Sequence, residues 1–143
     1  MDLKFINWSL RCKLKTHETD IRVRYQETDN MGVVYYANYL VWFEVARTEH
    51  FRSLGLVYRK LEEKGIYLMV ASISCQYKSP ARYDDIVKIK SWVPELKNSS
   101  FKFEYSLSVG ERLIATGESI HVFTNEAGKP VRIPNEVRQL FHP

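Results

Sequence analysis

The strongest constraint on the fold lies between Tyr36 and Leu54. Good helix formers (Leu40, Glu44, Ala46, Arg47, Glu49) run on to Gly55, which suits a helix C-terminal cap. The first half of this predicted helix, Tyr39, Leu40, Val41, Trp42, Phe43, Val45 and Ala46, is apolar nearly all round. Such a helix is buried, not laid on a surface, so the rest of the chain has to wrap it.

That remainder reads mostly as strands. Ile21–Tyr25 alternates ahead of the helix, and Asp29, Asn30 and Gly32 break the chain between the two. After a short helix over Tyr58–Lys64, alternation returns at Ala71–Tyr77, Val87–Lys90, Phe101–Val109 and Leu113–Thr124, with a tight turn at Gly110-Glu111. A loop over Asn125–Pro130 and a terminal helix over Pro134–Leu140 close the chain. Four consecutive strands joined by short turns pair antiparallel. One small sheet covers one side of a helix and leaves its edges bare, so oligomerisation is expected.

The 143 residues suit one domain, with a balance of 45% hydrophobic and 27% charged residues that is ordinary for a globular chain. No stretch approaches a membrane span, and Met1–Thr16 lacks the apolar core of a signal peptide. A cytoplasmic protein is expected, with Cys12 and Cys75 reduced and Cys75 packed in the core. No Cys/His spacing resembles a zinc site, and His17, His50, His121 and His142 are scattered. His121, in a strand, reads as a satisfied structural histidine. A net charge of +4 fits an anionic ligand such as a nucleotide phosphate. It also fits nucleic acid, but that reading needs exposed aromatics on a basic face, and the aromatics here alternate onto core positions.

The stretch from Arg22 to Arg47 (Arg-Val-Arg-Tyr-Gln-Glu-Thr-Asp29-Asn-Met-Gly32, then Tyr36-Ala-Asn38-Tyr39 and Trp42-Phe-Glu44) resembles the signature of hotdog-fold acyl-CoA thioesterases of the 4-hydroxybenzoyl-CoA thioesterase and YbgC-like types. Ser79-Pro-Ala-Arg82-Tyr-Asp84-Asp85 is similar to a strand-linking segment of the YbgC-like proteins. The resemblance runs from about residue 20 to 141. It implies an α+β hotdog fold: a curved antiparallel sheet of about five strands wrapped around one long central helix. Residues 17–143 would form this single domain, and 1–16 an extension of unknown role. It also implies a homo-oligomer, either a dimer or a tetramer made of two dimers, with active sites at the subunit interface.

Thioester hydrolysis needs a nucleophile, or a base that makes one from water, and donors aimed at the carbonyl oxygen where charge develops. Asp29 alone reads as a turn or capping residue. The motif makes it the catalytic carboxylate, with Gly32 allowing the loop to turn and the Tyr36 backbone N–H polarising the thioester at the helix N-terminus. Tyr36 stands where many YbgC-like sequences carry His, which leaves Asp29 as the main actor. Asn38 would fix the loop. Tyr39 and Glu44 would face the acyl group, the ordinary alternative for Glu44 being a same-face ion pair with Arg47. Arg82, Lys97, Lys129 and Arg132, with Ser99 and Ser100, fall in loops that match CoA-facing regions, where cations would meet phosphates.

The reaction implied is acyl-CoA, or acyl carrier protein thioester, to free acid, for a short aliphatic or aryl acyl group. No metal or other cofactor is expected, CoA being part of the substrate. Two other readings stay open: a hotdog dehydratase or hydratase, which would usually add a loop histidine absent here, and a non-catalytic acyl-CoA sensor.

Overall fold

The computed structural model describes residues 15–141. Met1–Leu14, including Cys12 and most of the proposed extension, lie outside the described residues, as does His142. Five strands form one antiparallel sheet: β1 (His17–Arg22), β2 (Tyr67–Tyr77), β3 (Ile86–Leu96), β4 (Ser100–Val109) and β5 (Arg112–Thr124). Helix α1 (Asn38–Ser53) lies across one face, α2 (Tyr58–Glu63) follows it, and α3 (Asn135–Phe141) ends the described chain. Among the described residues, no helix is long and apolar enough to cross a membrane.

The strands stand in the order β1-β3-β4-β5-β2. Pairing by sequence neighbour holds for β3–β4 and β4–β5 but not for β2–β3, whose partners are β5 and β1. The reason is the connection after β2. Residues 78–85 do not turn tightly; the Lys78 N–H donates to the Ile114 carbonyl, and the chain then crosses to the other edge of the sheet. The first strand also starts earlier than its alternation indicates. It covers His17–Arg22, and Tyr25–Glu27 form a 3-10 turn instead. An edge strand with one wet face can be largely polar, which hides it from pattern reading. Strand β3 runs on through Pro94 because the ladder shifts register between Trp92 and Glu95, and a bulge tolerates a missing N–H.

The core forms where α1 meets the sheet. Phe43 stacks on Tyr105 with ring centres 4.3 Å apart, and Phe51 meets Phe101 and Phe103 edge-on. His50 bonds Ser91 at 2.9 Å and is buried, which pulls its pKa down to about 4. His121 is a buried structural histidine, stacked on Phe101 and bonded through Nε2 to Ser119 Oγ at 2.7 Å. Cys75 is half-buried and packs against the core from β2.

The helix is not buried all round. Val41 is 52% exposed, and Glu44 and Val45 are exposed with it. A sheet of this width reaches one side only. Among the described residues strand β2 is likewise an uncovered edge, with Met69, Val70, Ile73 and Tyr77 exposed along it.

Candidate active site

The loop ahead of α1 is built around Glu27. Its side chain is buried, with Oε1 accepting the Arg24 N–H and Oε2 the Trp42 indole N–H, both at 2.8 Å. Its carbonyl accepts from the Tyr35 N–H at 2.9 Å and from Asn38 Nδ2 at 2.8 Å. Burial alone would push this carboxyl up. The bonds from Arg24 and Trp42, with the Arg24 charge, outweigh burial and hold it below the usual carboxylate range. Nothing in the loop sequence itself singles out Glu27. The signal available was Trp42: an indole N–H on a buried helix needs an acceptor.

Asp29 heads the turn that this clamp supports. Its N–H donates to the Val33 carbonyl, and its carbonyl accepts from the Gly32 N–H, each at 2.9 Å. Gly32 has φ +74°, a conformation that costs a side chain but suits glycine. Asp29 Oδ1 accepts the Met31 N–H at 2.8 Å, and Oδ2 has no partner among the described residues.

Tyr36 sits two residues before α1, with its ring 61% exposed and tilted against Tyr35. Its carbonyl accepts from the Tyr77 hydroxyl at 2.9 Å. The first helical N–H groups turn back onto Tyr35, Tyr36 and Ala37, while the Tyr36 N–H has no backbone partner among the described residues. Ala37 offers no capping side chain, so this donor stands free at the positive end of the helix.

Arg82 joins this end of the molecule. A Cβ placed on Gly32 would stand 4.0 Å from its Nη1, and the neighbouring Ala81 carbonyl accepts the Val34 N–H at 2.8 Å. The other predicted CoA contacts do not join it. Lys97 and Ser100 lie at the β3–β4 turn, and Lys129 and Arg132 follow β5, where the Ile133 N–H donates to the Asn98 carbonyl. That is the opposite end of the sheet, about 30 Å away along β4.

The two acyl-side candidates differ in burial. Tyr39 is 3% exposed and packs between Trp42 and Tyr77, so it is core in this chain. Glu44 is exposed, with no ion pair to Arg47, because it sits on the uncovered face of α1. Arg47 is instead buried, and its Nη1 donates to the Tyr105 hydroxyl at 3.2 Å. Among the described residues, no group of three or more His, Cys, Asp or Glu is placed to hold a metal ion.

Residues 23–141 match the family model of the thioesterase-like superfamily. The chain belongs to that superfamily. It is 36% identical over 125 residues to the acyl-CoA thioesterase YbgC of Haemophilus influenzae, covering 85% of this chain and 91% of that one. Among solved structures it is similar to the DHNA-CoA thioesterase of Staphylococcus aureus, at 31% identity and a TM-score of 0.85, with 89% of each chain covered. A 4-hydroxybenzoyl-CoA thioesterase variant shares the fold at 24% identity and a TM-score of 0.81, covering 88% of this chain and 98% of that one. The hotdog architecture expected from the motif is the architecture found.

Proposed function

We propose that this acyl-CoA thioesterase uses Asp29 as its reacting carboxylate and the Tyr36 N–H as the donor that polarises the thioester carbonyl. The observation that carries the reading is the free Asp29 Oδ2 on a loop clamped by Glu27, ahead of a helix start whose Tyr36 N–H is uncommitted. Asp29 either attacks the carbonyl carbon or takes a proton from an attacking water. In both routes negative charge grows on the carbonyl oxygen, where a fixed N–H at a helix N-terminus stabilises it. The thiolate of CoA then leaves; in the water route this gives the free acid directly, and in the direct route it leaves a mixed anhydride on Asp29 that water hydrolyses to the free acid. As we read it, hydrolysis proceeds without metal or redox cofactor, CoA entering only as part of the substrate; an acyl carrier protein could carry the same thioester.

The working unit in this proposal is a homodimer paired through β2. That strand is long, carries exposed apolar residues and, among the described residues, pairs on one side only, which is a surface proteins rarely leave open. A two-fold axis there sets the Tyr67 end of one β2 against the Tyr77 end of the other. The far-end cations Lys97, Lys129 and Arg132, with Ser100, then belong to the same side as Asp29 and Arg82 of the partner subunit. Together they offer charge to the CoA phosphates.

The test is CoA release from a panel of short aliphatic and aryl acyl-CoAs by wild type and Asp29→Asn. A fall of about two orders of magnitude in a folded variant supports the role of Asp29. Near-wild-type turnover sinks it. A wild type that binds these thioesters but releases no CoA points to a sensor.

A further inference from the structure

A cavity of about 310 Å³ opens between α1, α2 and the start of β2. One wall is apolar, made by Leu61, Ile66, Leu68 and Val70; the other carries Arg47 and Tyr58. Arg47 is only 7% exposed, and no carboxylate pairs with it among the described residues. Its Nη1 is used by Tyr105, whose hydroxyl bonds Ser119 Oγ at 2.6 Å, and Ser119 Oγ in turn bonds His121. Arg47 Nε and the Tyr58 hydroxyl are both buried without a hydrogen bond of regular geometry, and the two side chains lie close enough for the guanidinium to act on the phenol. A buried guanidinium without an anion, beside a buried phenol hydroxyl, is a costly arrangement that calls for an acceptor.

Other charges around the cavity do not supply it. Burial holds His121 neutral, its pKa pulled down to about 3. Glu44 and Glu62 also line the cavity, but both are exposed, so water screens them while Arg47 stays unscreened inside. The interior is therefore positive and half apolar. In the β2-paired dimer, this cavity at the Leu68–Val70 end faces the Asp29 loop of the partner subunit, which lies beside the Tyr77 end.

We infer that this cavity receives the far end of the acyl group and selects acyl chains that end in a carboxylate, bound by Arg47 Nε and the Tyr58 hydroxyl. The inference rests on the thioesterase reading and on the proposed dimer. The substrate class is a half-thioester of a dicarboxylic acid. Its methylenes lie on the apolar wall, and its terminal oxygens accept from these two donors.

The experiment compares glutaryl-CoA with valeryl-CoA, which have the same number of acyl carbons. The readout is the ratio of their kcat/KM values. Wild type should favour glutaryl-CoA by about tenfold or more, the scale of a charge-assisted hydrogen bond. Arg47→Met should bring the ratio close to one. Tyr58→Phe, which keeps the ring and removes only the hydroxyl beside Arg47, should lower it by a few-fold. A wild-type ratio near or below one overturns the inference. So does an Arg47→Met or Tyr58→Phe ratio equal to that of wild type, since a merely structural role would slow both substrates together. Affinities of the two thioesters for Asp29→Asn separate this failure from failure of the catalytic reading. Equal affinities overturn the pocket even when wild type hydrolyses thioesters. Tighter glutaryl-CoA binding that Arg47→Met erases upholds the pocket even when wild type cleaves nothing.

Discussion

Trp42 Nε1 donates to Glu27 Oε2 across 2.8 Å, so the core-facing helix itself holds the carboxylate that organises the Asp29 loop. Replacing Glu27 with Gln puts an amide N–H where an acceptor is required, facing either Trp42 or the Arg24 N–H. The variant should lose about 1–3 kcal/mol of stability, the usual cost of a buried unsatisfied donor. It should lose thioesterase activity beyond what the remaining folded fraction explains. Denaturant melts read beside CoA-release rates check both, and an unchanged midpoint would show that the clamp is dispensable.

Gly117 of β5 lies under the ring of Phe43, with no room for a side chain. A Cβ there would press into the Phe43 ring and stand 2.8 Å from the Ser74 carbonyl oxygen. Gly117→Ala should therefore destabilise the fold by about 1–3 kcal/mol through overpacking. The double variant Gly117→Ala with Phe43→Leu should recover part of the loss, which a thermal-melt comparison would read.

Two buried histidines make the fold acid-sensitive. The ordinary histidine value is near 6.5, and folding pulls His50 down to about 4 and His121 to about 3. Above pH 6.5 both states are neutral and the full stability is present. Below it the unfolded chain binds protons that the folded chain does not, so stability falls by about 1.4 kcal/mol per pH unit for each histidine, and levels off below the folded values. Glu27, held below its ordinary value, adds a loss in the same direction at more acid pH. Urea midpoints between pH 7 and 4 should fall accordingly, and His121→Gln should flatten the slope.

Ile73 sits on the bare β2 edge. Ile73→Arg should leave the single chain folded but break the β2 pairing, giving a monomer by light scattering and little CoA release. A dimer of unchanged mass would move the interface elsewhere.

Much of the architecture can be read in the sequence because local chemistry marks it. Gly55 and the run of helix formers delimit α1, and alternation marks β4 and β5 closely. The order of the sheet cannot be read that way, because alternation assigns a face to each residue but not a partner to each strand. The pairing of β2 with β5 is a long-range event. Strand β1 escapes because His17, Glu18, Thr19 and Asp20 are polar on an edge. Glu44 looks buried between apolar neighbours, yet one sheet cannot cover that side of α1. Asp29 stands out through its motif. The clamp made by Glu27 does not, since a buried carboxylate and a solvated one read alike. Lys97, Lys129 and Arg132 could be placed in loops, but not at the end of the sheet opposite Asp29.

That separation has a genetic consequence. In a β2-paired dimer each pocket would draw its acid from one chain and its far-end cations from the other. Lesions at Asp29 in one copy and at Lys129 and Arg132 in the other would both fall in the same pocket, leaving its twin whole. Two inactive alleles expressed together would then complement each other, whereas either one alone would remain silent.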